Sequence, residues 1–141
     1  MKGEIIKIEK EVFPFSAWSK ENFLSSLFSP VSRNYLLTND KKEIIGYILL
    51  YVIKPESHIL NFAIKKKYQG KGLGKYLLLN VLDILKKDGI ERVYLEVRES
   101  NTRAIKLYES TGFVQIARRK NYYAHSAKGG PEDAIVYLKI L

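Results

Sequence analysis

The chain has 141 residues, no cysteine and a formal charge of +9, from 24 Lys and Arg against 15 Asp and Glu. That length suits one domain, residues 1–141, with a core that needs no staples, and the lack of cysteine excludes disulfides. The positive balance favours polyanions without choosing among nucleic acid, a ribosome surface and a phosphorylated cofactor.

Charged residues break up the N-terminal segment Met1 to Glu9, and the longest apolar run, Ile44 to Ile53, is too short to span a bilayer as a helix, so neither a signal peptide nor a membrane-spanning helix is expected. A soluble cytoplasmic protein is the expectation. Ile5, Ile8 and Val12 recur at helical spacing, which makes Gly3 to Glu11 a short helix ahead of the turn Phe13-Pro14-Phe15-Ser16. Ser19 caps a second helix, whose stripe of Phe23, Leu24, Leu27 and Phe28 ends before Pro30. From Asn34 the period drops to two. Tyr35 to Thr38, the turn Asn39-Asp40-Lys41-Lys42 and Ile44 to Ile53 form a hairpin, its second strand apolar enough to be buried on both faces; a third strand runs from His58 to Ile64. His58 has no second ligand at metal-binding spacing and reads as an ordinary surface or hydrogen-bonded histidine.

The third strand delivers the chain to Gln69-Gly70-Lys71-Gly72-Leu73-Gly74-Lys75, a basic, glycine-rich loop that opens an amphipathic helix ending at Gly89. Glycine lets the backbone approach a ligand closely, and the first-turn N–H groups of a helix have no intrahelical partner, so this stretch is an anion cradle. A strand follows over Arg92 to Val97, then a short helix from Asn101 to Ser110, a long strand over Phe113 to Tyr123, a loop over Ala124 to Pro131 and a closing strand over Ala134 to Ile140. The order is helix, helix, three strands, helix, strand, helix, strand, strand. It predicts a mixed α/β fold in which an antiparallel meander feeds a right-handed strand, helix, strand crossover.

The cradle is not a P-loop, because Gly74-Lys75 is followed by Tyr76 and offers no hydroxyl for magnesium. Nor does it sit at the start of a parallel sheet, as a dinucleotide fold requires. Its Gln69, Gly72 and Gly74 instead match the loop signature of the GNAT superfamily of acetyl-CoA-dependent N-acetyltransferases, which the chain resembles from about Phe13 onward. The segments Leu95-Glu96-Val97-Arg98-Glu99-Ser100-Asn101 and Ala104 to Phe113 follow in the expected order. Within the superfamily it is most similar to the RimI type, which acetylates the N-terminal alanine of a small-subunit ribosomal protein. Phe13-Pro14 with Trp18-Ser19, Asn121-Tyr122-Tyr123 and Glu132-Asp133-Ala134-Ile135 carry that closer likeness.

The resemblance implies a GNAT fold, a central, mostly antiparallel mixed sheet flanked by helices. Here its first strand is shortened or missing, which would leave Tyr35 to Thr38 as a sheet edge. It implies acetyl-CoA as co-substrate and no metal. The backbone of Phe62, Ala63 and Ile64 would line the pantetheine arm, with Asn101 hydrogen-bonded to it, and Gly70, Lys71, Gly72, Leu73, Gly74 and Lys75 would hold the pyrophosphate. Glu96 would be the general base, Tyr108 the acid that protonates the departing thiolate, and Tyr122 and Tyr123 would border the acceptor groove. The apolar and aromatic neighbours of Glu96 along its strand suggest a carboxyl with a raised pKa, unless it pairs with Arg98. The implied partner is a protein N-terminus, with no need for nucleic acid or membrane, in a monomer or weak homodimer. Two other readings stand beside this one: a GNAT that acetylates lysine side chains or a small amine, and a basic ribosome- or RNA-binding module with a vestigial cofactor site.

Overall fold

The computed structural model describes residues 2–12 and 29–141. In chain order these form α1 (Lys2–Val12), β1 (Ser32–Thr38), β2 (Ile44–Ile53), β3 (Glu56–Ile64), a 3-10 turn (Lys66–Tyr68), α2 (Leu73–Lys87), β4 (Arg92–Arg98), α3 (Thr102–Ser110), β5 (Val114–Tyr123) and β6 (Glu132–Ile140). The turn at Phe13 and the helix expected after Ser19 lie outside the described residues.

The six strands make one sheet in the order β1-β2-β3-β4-β6-β5. All neighbours are antiparallel except β3 and β4, which run parallel and are linked through α2. This is the meander and crossover that the order of elements predicts. β2 shows why the sheet is two-sided: Ile48 and Leu50 pack with Leu77, Leu78, Val81 and Leu85 of α2, while Tyr47 and Leu49 point to the opposite face, against Ile5 and Ile8 of α1. β1 pairs only with β2 among the described residues, so it is the expected sheet edge, with polar residues at both ends. No helix among the described residues is long and apolar enough to cross a membrane.

One irregularity positions the site. In the β2/β3 pairing Leu49 faces Asn61 and Leu50 faces Ile59, which leaves Leu60 as a bulge in β3. β3 and β4 pair only from Glu56 to Ile59 and from Arg92 to Leu95, and beyond these rungs the strands part. The gap opens at their C-terminal ends, the end of an α/β crossover at which ligands bind. α2 and α3 are the next α-helices after these strand ends, α2 by way of the 3-10 turn and the glycine loop.

Candidate active site

On the α2 and α3 side of the gap lies a cleft of about 270 Å³, lined by Phe62, Ala63, Ile64, the loop from Gln69 to Lys75 without Lys71, Asn101 and Tyr108. Gly70 and Gly72 have φ of +77° and +80°, and a Cβ at either would project into open space. Gly72 is the N-cap of α2, Tyr76 N–H donates to its carbonyl at 3.0 Å, and no acidic residue stands in the first turn. The N–H groups of Leu73, Gly74 and Lys75 therefore lack intrahelical acceptors and face a position that favours an anion. Gln69 fixes the loop: its Nε2 donates to the Ile64 carbonyl at 2.8 Å, and its Oε1 accepts from Arg103 of α3. Glu11, near the end of α1, accepts from Lys66 N–H at 2.8 Å. Lys71 turns away from the cleft, with its Nζ 5.7 Å from the Tyr68 ring centroid.

Gly72→Val is expected to separate two effects. The left-handed φ costs the folded protein about 1–2 kcal/mol with any branched side chain. Because nothing in the protein occupies the space, a bound anion would take the larger loss, an expected tenfold or more, or about 1.4 kcal/mol, in coenzyme affinity by titration calorimetry.

On the α1 side of the gap a second cleft of about 160 Å³ shares Phe62, Asn101, Ala104 and Tyr108 with the first and adds Glu9, Asn61, Glu96, Arg98 and Tyr123. Val93, Leu95 and Val97 point into the α2-side core, so Glu96 points the other way, into this cleft. Its setting differs from the apolar one suggested by its sequence neighbours. The Glu96 Oε1 lies 3.4 Å from Arg119 Nη2 of β5, with the carboxylate side chain about 30% exposed. Local sequence could not show this pair, since a strand two places away in the sheet supplies the arginine.

Tyr108 is buried, with its ring centroid 5.6 to 6.5 Å from those of Phe113, Phe62 and Tyr137. Burial, helped by the nearby Tyr123, pushes its hydroxyl pKa well up, so it stays protonated and can donate. Asn101 accepts the Ala104 N–H on its Oδ1 at 3.2 Å, capping α3, which leaves its NH₂ group for the cleft. Tyr123 lines the cleft, and burial together with the Glu96 charge pushes its pKa up to about 12. Tyr122, expected beside it, is instead about half exposed and lies under the Arg119 guanidinium, 5.4 Å from ring centroid to carbon. The β5/β6 register is irregular between Arg119 and Tyr123, with Asn121 at φ +52°, and the two rings meet edge to face at 5.2 Å, Tyr123 on the cleft and Tyr122 outside it.

A strap missed in the sequence joins β4 to the β5/β6 loop. Arg98 Nη1 donates to Glu132 Oε1 and to the His125 carbonyl, both at 2.7 Å, and its guanidinium lies 4.1 Å from the Tyr123 ring centroid. Glu132 Oε2 accepts the Ser100 N–H at 3.3 Å. Burial alone would raise the Glu132 pKa, but these hydrogen bonds outweigh it and hold the carboxyl below its usual value. A depressed pKa contributes stability above the unfolded value of roughly 4.3 and loses it as pH falls through the folded value. Arg98→Met, which strands a nearly buried carboxylate, should cost about 3 kcal/mol in thermal unfolding at neutral pH, with the deficit shrinking in acid as Glu132 protonates in both proteins. Arg118 is likewise committed, to Glu99 and, at 2.9 Å, to Asp133. With both arginines in ion pairs, the run Arg118-Arg119-Lys120 presents less free charge to a polyanion than its sequence suggests.

The geometry thus joins an anion-binding loop, a carboxylate and a buried phenol along one gap in a sheet, and known proteins share both sequence and shape with it. The chain is 38% identical over 129 residues to the [ribosomal protein bS18]-alanine N-acetyltransferase of Escherichia coli, covering 92% of this chain and 84% of that one. The crystal structure of the ribosomal-protein-S18-alanine N-acetyltransferase from Escherichia coli superposes with a TM-score of 0.90 at 34% identity, over 99% of this chain and 86% of that one. A GNAT family acetyltransferase from Elizabethkingia anophelis, solved with acetyl-CoA bound, matches with a TM-score of 0.77 at 27% identity, over 87% and 84% of the two chains. Residues 4–113 match the family model described as Acetyltransferase (GNAT) family, and the chain belongs to that family.

Proposed function

We propose that this chain is a single catalytic domain that transfers the acetyl group of acetyl-CoA to the N-terminal α-amine of a protein in the cytoplasm, the N-terminal alanine of a small-subunit ribosomal protein. The observation that carries this reading is that the Glu96 carboxylate and the Tyr108 hydroxyl line one cleft that joins the anion loop through the β3/β4 gap. The relatives' named activity and the extent of their identity support the choice of acceptor.

The residues present fit the coenzyme. The open space over Gly70 and Gly72 and the free N–H groups of Leu73, Gly74 and Lys75 suit a pyrophosphate, and the β3 edge from Phe62 to Ile64 and the Asn101 amide suit the amides of a pantetheine arm. When bound, the coenzyme supplies an activated acyl group as a thioester. Glu96 takes the proton of the incoming ammonium, directly or through water. An α-amine, with a pKa of roughly 8, needs less help than a lysine at roughly 10. Arg119, 3.4 Å away, holds the Glu96 carboxylate in place at the cleft. Tyr108, protonated and buried, is the proton donor for the departing sulfur.

Incubation with acetyl-CoA and short peptides that differ in their first residue tests this. Thiol release with free N-terminal alanine peptides, and none from blocked peptides with an internal lysine, is the expected result. Release from lysine alone would transfer the enzyme to the side-chain class, and release from no amine would remove the catalytic reading.

A further inference from the structure

Asn61 lies at the strand bulge, on the floor of the acceptor-side cleft. Leu60 and Ala63 pack toward α1, and the Tyr47 hydroxyl, on the same side, donates to Asn61 Oδ1 at 3.1 Å. The carboxamide therefore faces the α1 side of the sheet, as Glu96 does, and away from Phe62 and Ile64, which pack on the α2 side. Tyr47 is fully buried and Asn61 is 8% exposed. With its oxygen engaged by Tyr47, Asn61 turns its NH₂ group outward, and that nitrogen has no hydrogen-bond partner among the described residues. The residue is nearly buried while its amide nitrogen still opens onto the cleft, so that donor is left for whatever fills the cleft to complete. Once an acceptor peptide displaces solvent there, leaving the donor unpaired is costly.

We infer that the Asn61 NH₂ group binds the backbone carbonyl of the acceptor's first residue, making Asn61 the group by which this enzyme distinguishes a peptide α-amine from a lysine or polyamine nitrogen. Two bonds from an α-amine nitrogen stands a carbonyl carbon; at the same place in a lysine side chain or a polyamine there is only methylene. A donor that must be satisfied by that oxygen discriminates more strongly than an apolar wall, because the wrong amine leaves it buried and unpaired. Tyr47 is the positioning residue: its hydroxyl, held protonated by burial and by the charge of Glu9 beneath it, fixes which end of the Asn61 amide faces the cleft. The inference rests on the α-amine reading given above.

The test compares an alanine-initiated peptide with its analogue in which an (E)-alkene replaces the first peptide bond, at equal concentrations of free amine. The wild-type enzyme is expected to prefer the parent peptide by about tenfold or more in kcat/KM. Asn61→Asp, isosteric but with acceptors where the donors were, and Asn61→Ala should each bring that preference to within about twofold of parity, with coenzyme affinity preserved. Tyr47→Phe, which frees the amide to rotate without entering the cleft, should give an intermediate preference. If the wild type shows no preference, or the Asn61 variants lose both substrates in proportion, Asn61 acts on the acetyl group or the fold and the inference is overturned while the α-amine reading stands. If the wild type acetylates neither substrate, that reading falls too. Should both Asn61 variants fail to fold, an unchanged preference in Tyr47→Phe overturns the positioning.

Discussion

Glu96→Gln is expected to lose about a hundredfold or more in kcat at neutral pH while the dissociation constant for the coenzyme stays within about twofold. Glutamine keeps the shape and much of the hydrogen-bonding capacity of the side chain, and Glu96 lies in the cleft on the other side of the gap from the glycine loop, so the loss should be confined to proton removal. The pH dependence gives the sign. As pH rises through roughly 8 an α-amine deprotonates without help, so the deficit of the variant narrows in alkali and widens in acid. Stopped-assay thiol release from pH about 6 to about 9.5 reads this directly. Turnover that is unchanged across neutral pH removes Glu96 from the mechanism.

Tyr108→Phe is the second large effect, again about a hundredfold in kcat. The phenyl ring keeps the packing against Phe62, Phe113 and Tyr137. The hydroxyl makes no hydrogen bond to the described residues, so the thermal midpoint should hardly move. Burial keeps Tyr108 protonated through the working range, which has a consequence for the rate profile: a fall between about pH 8 and 10 belongs to another group and should persist in the variant. A variant with wild-type kcat would assign the sulfur's proton to water.

What the sequence made legible was whatever is local in the chain. The glycine loop, the α2 stripe and the alternation in β4 each state their own geometry, and strand ends were missed by only two or three residues: β1 begins at Ser32, β3 at Glu56 and β6 at Glu132. Polar side chains occupy those first positions, and backbone pairing does not depend on them. Contacts across the sheet stayed hidden. Arg98 stands two residues from Glu96 and looked like its partner, yet it pairs with Glu132, while Glu96 faces Arg119. The register that sets both pairs depends on the order in which β4, β6 and β5 lie together, which no local pattern encodes. Tyr47 and Asn61 were hidden for the same reason, since only the bulge at Leu60 turns the amide toward the tyrosine.

The parting of β3 and β4 also bears on how the protein behaves in a crowded solution. It creates two strand edges in the interior of a sheet, where unpaired amides would ordinarily template association with another chain. Here residues of α2 and α3 flank the slot, and the side chains of Phe62, Glu96 and Tyr108 line it. Those helices and side chains stand where a second strand would have to pair, so mutations that clear them from the slot should cost solubility before they cost stability.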